Sequence, residues 1–261
     1  MVVPPALQRF VAEAETAALF VDFDGSLSPI VDDPAAARAL PAARAALARL
    51  VPLIGRAAVV SGRPATFLRD ALGIGGLLYV GAYGLERVID DEIVVDPRVE
   101  PWVDVIARAA DEAEVALPGL LVERKGQVAV TVHWRAEPER GSEASAWADA
   151  AAARLGLEAP LRGRMAVELR PPVPVDKGSV VEELAEGMSV AAFAGDDEGD
   201  LSAFAALRRL AREHRLGHAV TVGVASTEGP AAIAETDVVV DGPRALAELF
   251  DALADAISER G

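Results

Sequence analysis

The chain has 261 residues, no cysteine, and a formal charge of −16 from 25 Lys and Arg against 41 Asp and Glu. This charge repels phosphate backbones and anionic lipids, so the composition disfavours nucleic acid and membrane partners. The missing cysteines exclude disulfides, thiolate nucleophiles and cysteine-based zinc sites. Because there is also no leader-like or long apolar segment, we expect a monomeric cytoplasmic protein.

Short apolar runs alternate with helical patterns along much of the chain. Strands are predicted at 17–22, 55–60, 77–81, 190–195, 218–223 and 237–241, and helices at 41–53, 64–71, 176–187, 199–216 and 243–259. Segment 87–97 predicts a hairpin that turns at Asp90 and Asp91. The alternation predicts an α/β fold with a doubly wound, mostly parallel sheet.

The middle of the chain departs from this alternation. The predicted elements there are a helix at 98–116, strands at 120–124 and 127–133, a helix near 140–155, and strands near 157–161 and 164–169. We interpret 98–172 as an inserted smaller α/β domain, and 1–97 with 173–261 as one discontinuous domain. The prolines at 171, 172 and 174 make a stiff connection back to the larger domain.

Two acids follow the first predicted strand in the run LFVDFDGSLSPI. Asp22 and Asp24 are two residues apart, so on an extended chain their side chains point the same way. At the end of a central parallel strand they would lie in the crevice where open α/β sheets bind ligands. The alternative is that Asp24 caps a turn and Asp22 only ends a strand. A calcium loop is excluded, because Leu27 occupies the position where that loop needs glycine.

A second group of acids follows the strand predicted at 190–195, in the run AFAGDDEGD. Asp196, Asp197 and Asp200 could cap the next helix. Carboxylates that converge in one crevice repel each other unless a cation is present, and an all-oxygen ligand set favours Mg²⁺. The sequence therefore allows either helix capping or a magnesium site here.

Two further segments carry groups that suit a bound phosphate. Ser61, Gly62 and Arg63 follow the strand at 55–60, and Lys177 opens a helix after the proline-rich connection. A hydroxyl, backbone N–H groups and an ammonium are the donors that phosphate oxygens accept from. Taken singly, Ser61 would be an ordinary helix cap and Lys177 a solvated charge.

The order DxDGS, SGR, lysine and GDDxxD, each at the end of an apolar run, resembles the haloacid dehalogenase-like (HAD) phosphatase superfamily. Within it, the segments LFVDFDGSLSPI, GAYGLER, ERKG, VHWR and VELRPPVPVDKG look like the trehalose-6-phosphate phosphatase family. The resemblance implies a Rossmann-like HAD core at 1–97 and 173–261 with a specificity cap at 98–172. It also implies Mg²⁺-dependent hydrolysis of trehalose 6-phosphate, a small sugar phosphate.

The same resemblance assigns catalytic and metal-binding roles. Asp22 would be the nucleophile that forms an aspartyl phosphate, and Asp24 the general acid and base. Asp22, the backbone carbonyl of Asp24, and Asp196 would hold Mg²⁺. Asp197 would act through metal-bound water or orient the site's lysine, and Asp200 would support the loop.

Phosphate-binding and sugar-binding residues are implied in the same way. Ser61, Gly62 and Lys177 would hold the phosphoryl oxygens. The residues expected to contact the rest of the substrate are Arg63, Glu123, Lys125, Arg135 and Glu168. Without the resemblance, the polar residues of the inserted domain would be interpreted as the solvated faces of strands.

Four positions depart from the family pattern: Tyr83 replaces a usual His, Ser26 a usual Thr, Gly199 a Thr, and Leu201 a Glu. The acids of the two motifs are retained. The departures therefore bear on which sugar phosphate is hydrolysed more than on the phosphatase chemistry. Two alternatives stay open. The chain could hydrolyse another sugar or pseudosugar phosphate, or be a catalytically silent regulatory module.

Overall fold

Strands and helices alternate through most of the chain in the computed structural model, which describes residues 2–31, 34–163, 165–225, 233 and 235–260. The chain divides into two units, the first formed by Met1–Asp90 with Val175–Gly261 and the second by Asp91–Pro174. The inserted unit therefore begins at Asp91, in the predicted hairpin turn, rather than at 98.

The strands, numbered in chain order, are β1 (Ala17–Val21), β2 (Arg56–Val60), β3 (Leu78–Gly81), β4 (Glu86–Ile89), β5 (Glu92–Val95), β6 (Leu121–Lys125), β7 (Ala129–His133), β8 (Leu161–Gly163), β9 (Ala166–Leu169), β10 (Val190–Gly195), β11 (His218–Val224) and β12 (Val238–Val240). The α-helices are α1 (Gln8–Ala12), α2 (Pro41–Leu50), α3 (Ala65–Leu72), α4 (Val103–Ala116), α5 (Gly141–Leu155), α6 (Lys177–Leu184), α7 (Leu201–Arg212) and α8 (Gly242–Ser258). Short 3-10 turns include Ala82–Gly84 and Glu198–Asp200.

The first unit contains seven of the eight strands of the larger sheet, in the order β12-β11-β10-β1-β2-β3-β4. The pairs from β12 to β3 are parallel, and β4 runs antiparallel to β3. Strand β1 lies between β2 and β10, so the chain winds outward from β1 in both directions. That reversal of strand order is where ligands bind in such sheets. The predicted doubly wound α/β class is confirmed.

Helices cover both faces of this sheet, which explains why its central strands are apolar throughout. All five residues of β1 are buried. Leu19 and Val21 pack into a core with α2 and α8, whereas Ala18 and Phe20 pack into a second core with α6 and α7. The covered faces hold β1 rigidly, so the residue that follows it has a fixed position.

The second unit contains a four-stranded sheet in the order β6-β7-β9-β8, with all pairs antiparallel. Alternate residues of β7 and β9, namely Val130, Val132, Val167 and Leu169, pack against α4 and α5. The intervening residues face the other way. The register places Glu123 of β6 opposite Thr131 of β7, and Thr131 opposite Glu168 of β9.

One predicted strand is shifted in the structure. Residues 157–160 are irregular, and the strand forms at Leu161–Gly163 instead. Leu157 is buried in the core of the second unit, and Pro160 has no N–H to donate to a ladder, so the regular strand starts only after it. Arg164, where the next strand was predicted to begin, lies outside the described residues. Among those residues, no helix has the length and apolar character to cross a bilayer.

Candidate active site

Asp22 directly follows β1 at the centre of the parallel sheet. Its backbone N–H donates to the carbonyl of Ala194 on β10 at 2.9 Å, and only 4% of the residue is exposed. The chain then turns through Gly25, whose φ of +77° favours glycine. A Cβ at position 25 would lie 2.1 Å from a carboxylate oxygen of Asp196, so the turn also brings the backbone against that acid.

Three buried acids converge at this edge of the sheet. Asp22, Asp196 and Asp200 each place a carboxylate oxygen within 4.8 Å of the other two. Asp196 follows β10, and Asp200 ends the 3-10 turn after it. Buried carboxylates at such separations repel one another strongly. This cluster could bind a metal ion, and oxygen donors suit a hard cation such as Mg²⁺.

Lys177 is the cation that the chain itself supplies to this cluster. It is the first residue of α6, where Asp176 and Ser179 form a capping box, and its ammonium lies 2.9 Å from Asp22 Oδ1 and 2.7 Å from Asp200 Oδ1. Burial alone would lower the pKa of Lys177, but Asp200 and Asp22 raise it well above its ordinary value. Lys177 therefore stays charged.

A simple ion pair lowers the pKa of a carboxyl group, but the pKa of Asp22 is raised. Burial raises the pKa of its carboxyl well above the ordinary value, against the opposing charge of Lys177, and the neighbouring acids raise it further. Burial thus opposes ionisation of Asp22 more than the charge of Lys177 favours it. A second cation at this position would favour the ionised form of Asp22, which is the nucleophilic form.

Asp200 differs from the other two acids because both of its oxygens are engaged. Oδ1 contacts Lys177, and Oδ2 accepts from the backbone N–H groups of Asp196 at 2.8 Å and Asp197 at 3.2 Å. It therefore supports the loop and orients the lysine. Asp197, which was also expected to orient the lysine or to act through metal-bound water, is exposed and accepts from Gly199 N–H at 2.9 Å.

The segment Ser61–Ala65, which we call the phosphate loop, follows β2 beside Asp22. Ser61 is buried, and its hydroxyl accepts from the N–H of Arg63 at 3.3 Å. The guanidinium of Arg63 donates two hydrogen bonds of 2.7 Å to the two carboxylate oxygens of Asp24 and lies over the ring of Phe67. The structure thus pairs Arg63, predicted as a substrate-binding residue, with the predicted general acid.

The predicted sugar-binding residues lie in the second unit. Lys125 donates to Glu168 Oε2 at 2.5 Å, and the side chain of Glu168 is 7% exposed. Glu123 and His133 are joined by a hydrogen bond of 2.8 Å. Arg135 is half-buried in the turn after β7.

Sequence reasoning missed two polar residues of this sheet face, Thr131 and His133. Thr131 donates to Glu168 Oε2 at 3.0 Å, and His133 pairs with Glu123. The sequence signal that could have found them is the alternation along β7, where Thr131 and His133 alternate with Val130 and Val132, which face the helices. Polar residues on one face of a strand indicate that the face serves contacts other than the apolar core.

Comparisons with known proteins place this geometry in a family context. A family model described as trehalose-phosphatase matches residues 20–237. A trehalose-phosphate phosphatase of Mycolicibacterium paratuberculosis is 36% identical over 239 residues, which are 84% of this chain and 60% of that protein. One of Mycobacterium tuberculosis is 33% identical over 261 residues, or 94% and 63% of the two chains. The chain therefore spans about 60% of the length of these relatives.

Solved structures show the same fold at lower sequence identity. A trehalose-6-phosphate phosphatase related protein superposes with a TM-score of 0.75 at 23% identity, covering 94% of this chain and 100% of the other. The C-terminal domain of the Candida albicans trehalose-6-phosphate phosphatase gives a TM-score of 0.76 at 22% identity, covering 97% and 98%.

Proposed function

The chain belongs to the trehalose-phosphatase family, and from this premise we propose that it hydrolyses trehalose 6-phosphate to trehalose and inorganic phosphate. The observation that carries the proposal is the contact of Lys177 with Asp22 at the end of the central strand, with Asp196 beside them. These are the groups that an anionic phosphate ester needs, namely a carboxylate nucleophile, a fixed ammonium, and acids that attract a metal ion.

The donor set fits a magnesium ion. Asp22 and Asp196 would hold it together with the backbone carbonyl of Asp24, and Asp197, exposed at the rim, would act through metal-bound water. Asp200 is a support because both of its oxygens are engaged within the protein. When bound, Mg²⁺ supplies positive charge that reduces the repulsion between the nucleophile and the phosphate and stabilises the transferring phosphoryl group.

The carboxylates would divide the hydrolysis into two displacements. An oxygen of Asp22 attacks phosphorus and forms an aspartyl phosphate, while the bond from phosphorus to the sugar oxygen breaks and Asp24 donates a proton to that oxygen. Asp24 then takes a proton from water, and the resulting hydroxide attacks phosphorus. The aspartyl bond breaks, and phosphate leaves with Asp22 restored.

Ser61, Gly62 and Lys177 would hold the phosphoryl oxygens during both displacements. Ser61 would supply a hydroxyl and Gly62 a backbone N–H. Arg63 would bind near the leaving group, because its guanidinium already reaches Asp24. The buried ammonium of Lys177 would neutralise charge that builds up in the transition state.

The second unit would supply the sugar specificity through Glu123, Lys125, Arg135 and Glu168. Carboxylates and ammonium groups make short, directional hydrogen bonds to hydroxyls. The support comes from their pairing on one sheet face, where Glu168 and Lys125 are largely buried. A ligand that lacks the matching hydroxyls would form fewer of these hydrogen bonds, which lowers its affinity. The expectations of a cytoplasmic location and a monomeric state belong to this proposal and are testable by fractionation and light scattering.

The deciding experiment is phosphate release from a panel of sugar phosphates, with Mg²⁺ and with a chelator. We expect trehalose 6-phosphate to be hydrolysed with the highest kcat/KM and the chelator to abolish release. Preference for another member would assign the chain to a different sugar phosphate. Absence of release from every member would support a silent regulatory module and contradict the proposal. Asp22→Asn serves as the inactive control, because it cannot form the aspartyl phosphate.

A further inference from the structure

The segment Gly81–Glu86, from the sequence run GAYGLER, lies against the phosphate loop. The N–H of Tyr83 donates to the carbonyl of Ser61 at 2.9 Å, and the N–H of Ala82 donates to the carbonyl of Arg63 at 2.8 Å. These two bonds bracket Gly62, the residue expected to approach the phosphate. The role proposed for the phosphate loop therefore involves a neighbouring segment to which the mechanism assigns no function.

Glu86 makes the third contact, at the far end of the loop. Its Oε2 accepts from the backbone N–H of Ala65 at 2.9 Å, and the residue is 4% exposed. Ala65 is the first residue of α3, and the residue before it, Pro64, has no side-chain acceptor with which to cap the helix. Glu86, which lies on β4, thus takes the place of the missing cap and fixes the direction in which the loop enters the helix.

The backbone of the segment is held in an unfavourable conformation. Ala82 and Tyr83 have φ values of 47° and 58°, so two consecutive residues with side chains are left-handed. Such conformations persist where surrounding contacts determine them, and they concentrate at functional sites. Here the contacts are those with the phosphate loop.

The segment and the loop also pack without free space. A Cβ added at Gly81 would lie 2.2 Å from the backbone nitrogen of Ala65, and one added at Gly62 would lie 2.6 Å from the ring of Tyr83. The two segments therefore move together, and a shift of one displaces the other.

We propose that Glu86 is a positioning residue that sets the phosphate loop in the orientation that binds the phosphoryl group. The inference rests on the proposed phosphatase function and deepens it. What matters is the reach of the Glu86 carboxylate to the Ala65 N–H, since that bond fixes the loop between β2 and α3. A role in general stability alone would leave the affinity for phosphate unchanged.

Three variants separate these roles. Glu86→Gln keeps the reach of the side chain and one acceptor oxygen but removes the charge. Glu86→Asp keeps the charge but withdraws the oxygens by about 1.5 Å, which breaks a hydrogen bond of ordinary length. Glu183→Gln is the matched control. Glu183 is largely exposed and pairs with Arg87, the residue that follows Glu86 in the chain.

The measurement is calorimetric titration with inorganic phosphate in the presence of Mg²⁺, with thermal unfolding to confirm that each variant is folded. Glu86→Asp should weaken phosphate binding by about tenfold, the effect of a lost hydrogen bond in a buried network. Glu86→Gln and Glu183→Gln should stay within about threefold of the parent.

Unchanged affinity in folded Glu86→Asp would overturn the inference alone. Glu86→Gln as weak as Glu86→Asp would also overturn it, because charge rather than reach would then be responsible. A parent chain that binds no phosphate with Mg²⁺ would overturn the proposed function as well. Calorimetry does not require turnover, so the result is independent of which sugar phosphate is the substrate.

Discussion

The acid cluster of the first unit and the polar sheet face of the second use charge in different ways. Around Asp22, three buried carboxylates lie together, two of them contact the ammonium of Lys177, and backbone N–H groups fix the loop that carries Asp196 and Asp200. On the face that contains Glu168, each of the two acids has a side-chain partner of its own, Lys125 or His133. The first arrangement has an excess of negative charge that a bound cation would offset, whereas in the second each acid is hydrogen-bonded to a neighbouring side chain and the face offers directional contacts.

The largest expected effect tests whether the first unit alone contains the chemistry. Asp22→Asn should lower kcat for phosphate release by at least about a thousandfold, because the proposed nucleophile is lost. The control is Asp251→Asn, which removes an exposed partner of Arg49 and should leave kcat unchanged. Substantial turnover by folded Asp22→Asn would show that another group attacks phosphorus.

The second prediction compares the two lysines. Lys177→Met should lower the free energy of unfolding by about 3–5 kcal/mol, since it leaves buried carboxylates without their ammonium. Lys125→Met should lower it by no more than about 2 kcal/mol, since Glu168 retains its hydrogen bond from Thr131.

Urea unfolding of the two lysine variants can be measured with two signals, one for the second unit and one for the whole chain. The three tryptophans, Trp102, Trp134 and Trp147, all lie in the second unit, so their fluorescence reports that unit. Circular dichroism follows the helices of the whole chain. Equal losses for the two variants would contradict the difference drawn between the two regions.

The same difference explains how much the sequence could predict. The strands of the parallel sheet were predictable because both of their faces are buried, which makes each a continuous apolar run. Asp22 and Asp196 were predictable because they stand where two such runs end. The role of Asp200 was less accessible, because its contacts with Lys177 and with two backbone N–H groups depend on how distant segments meet.

The polar residues of the second unit were harder to predict. On a strand with one polar face, a residue that binds a ligand has the same pattern as a solvated residue. Thr131 and His133 could have been found by alternation, but only the structure shows that their side chains contact the two acids. The contact of Glu86 with Ala65 N–H had no sequence signal, since helix capping is expected from the residue before a helix.

The third prediction concerns the cation proposed for the acid cluster. Mg²⁺ at a hundred times its dissociation constant should raise the free energy of unfolding by about 2.7 kcal/mol. Asp196→Asn should abolish this stabilisation, while Glu168→Gln should preserve it. Thermal melting followed by circular dichroism measures the effect without any substrate. Stabilisation that survives in Asp196→Asn would place the ion elsewhere.

The fourth prediction concerns the polar sheet face of the second unit. Glu168→Ala and Glu123→Ala should each raise KM for trehalose 6-phosphate by about tenfold to a hundredfold, the range for a lost hydrogen bond to a charged group. Turnover of a small generic phosphate ester should be spared, because that ester has no sugar to bind. Steady-state kinetics on the two substrates measure the difference. Equal losses on both would indicate that these acids support catalysis rather than specificity.

The smallest expected effect concerns His133, which contacts Glu123. If the imidazole holds that carboxylate in place for a sugar hydroxyl, His133→Ala should raise KM for trehalose 6-phosphate by about three- to tenfold, the effect of losing one hydrogen bond that acts on the sugar through Glu123. His133→Gln can still donate to Glu123 and should recover most of the affinity. Both variants should keep the parent kcat, because the reacting groups lie in the first unit. A fall in kcat with an unchanged KM would mean that the second unit contributes to the chemical step, and the division of roles between the two regions would then be wrong.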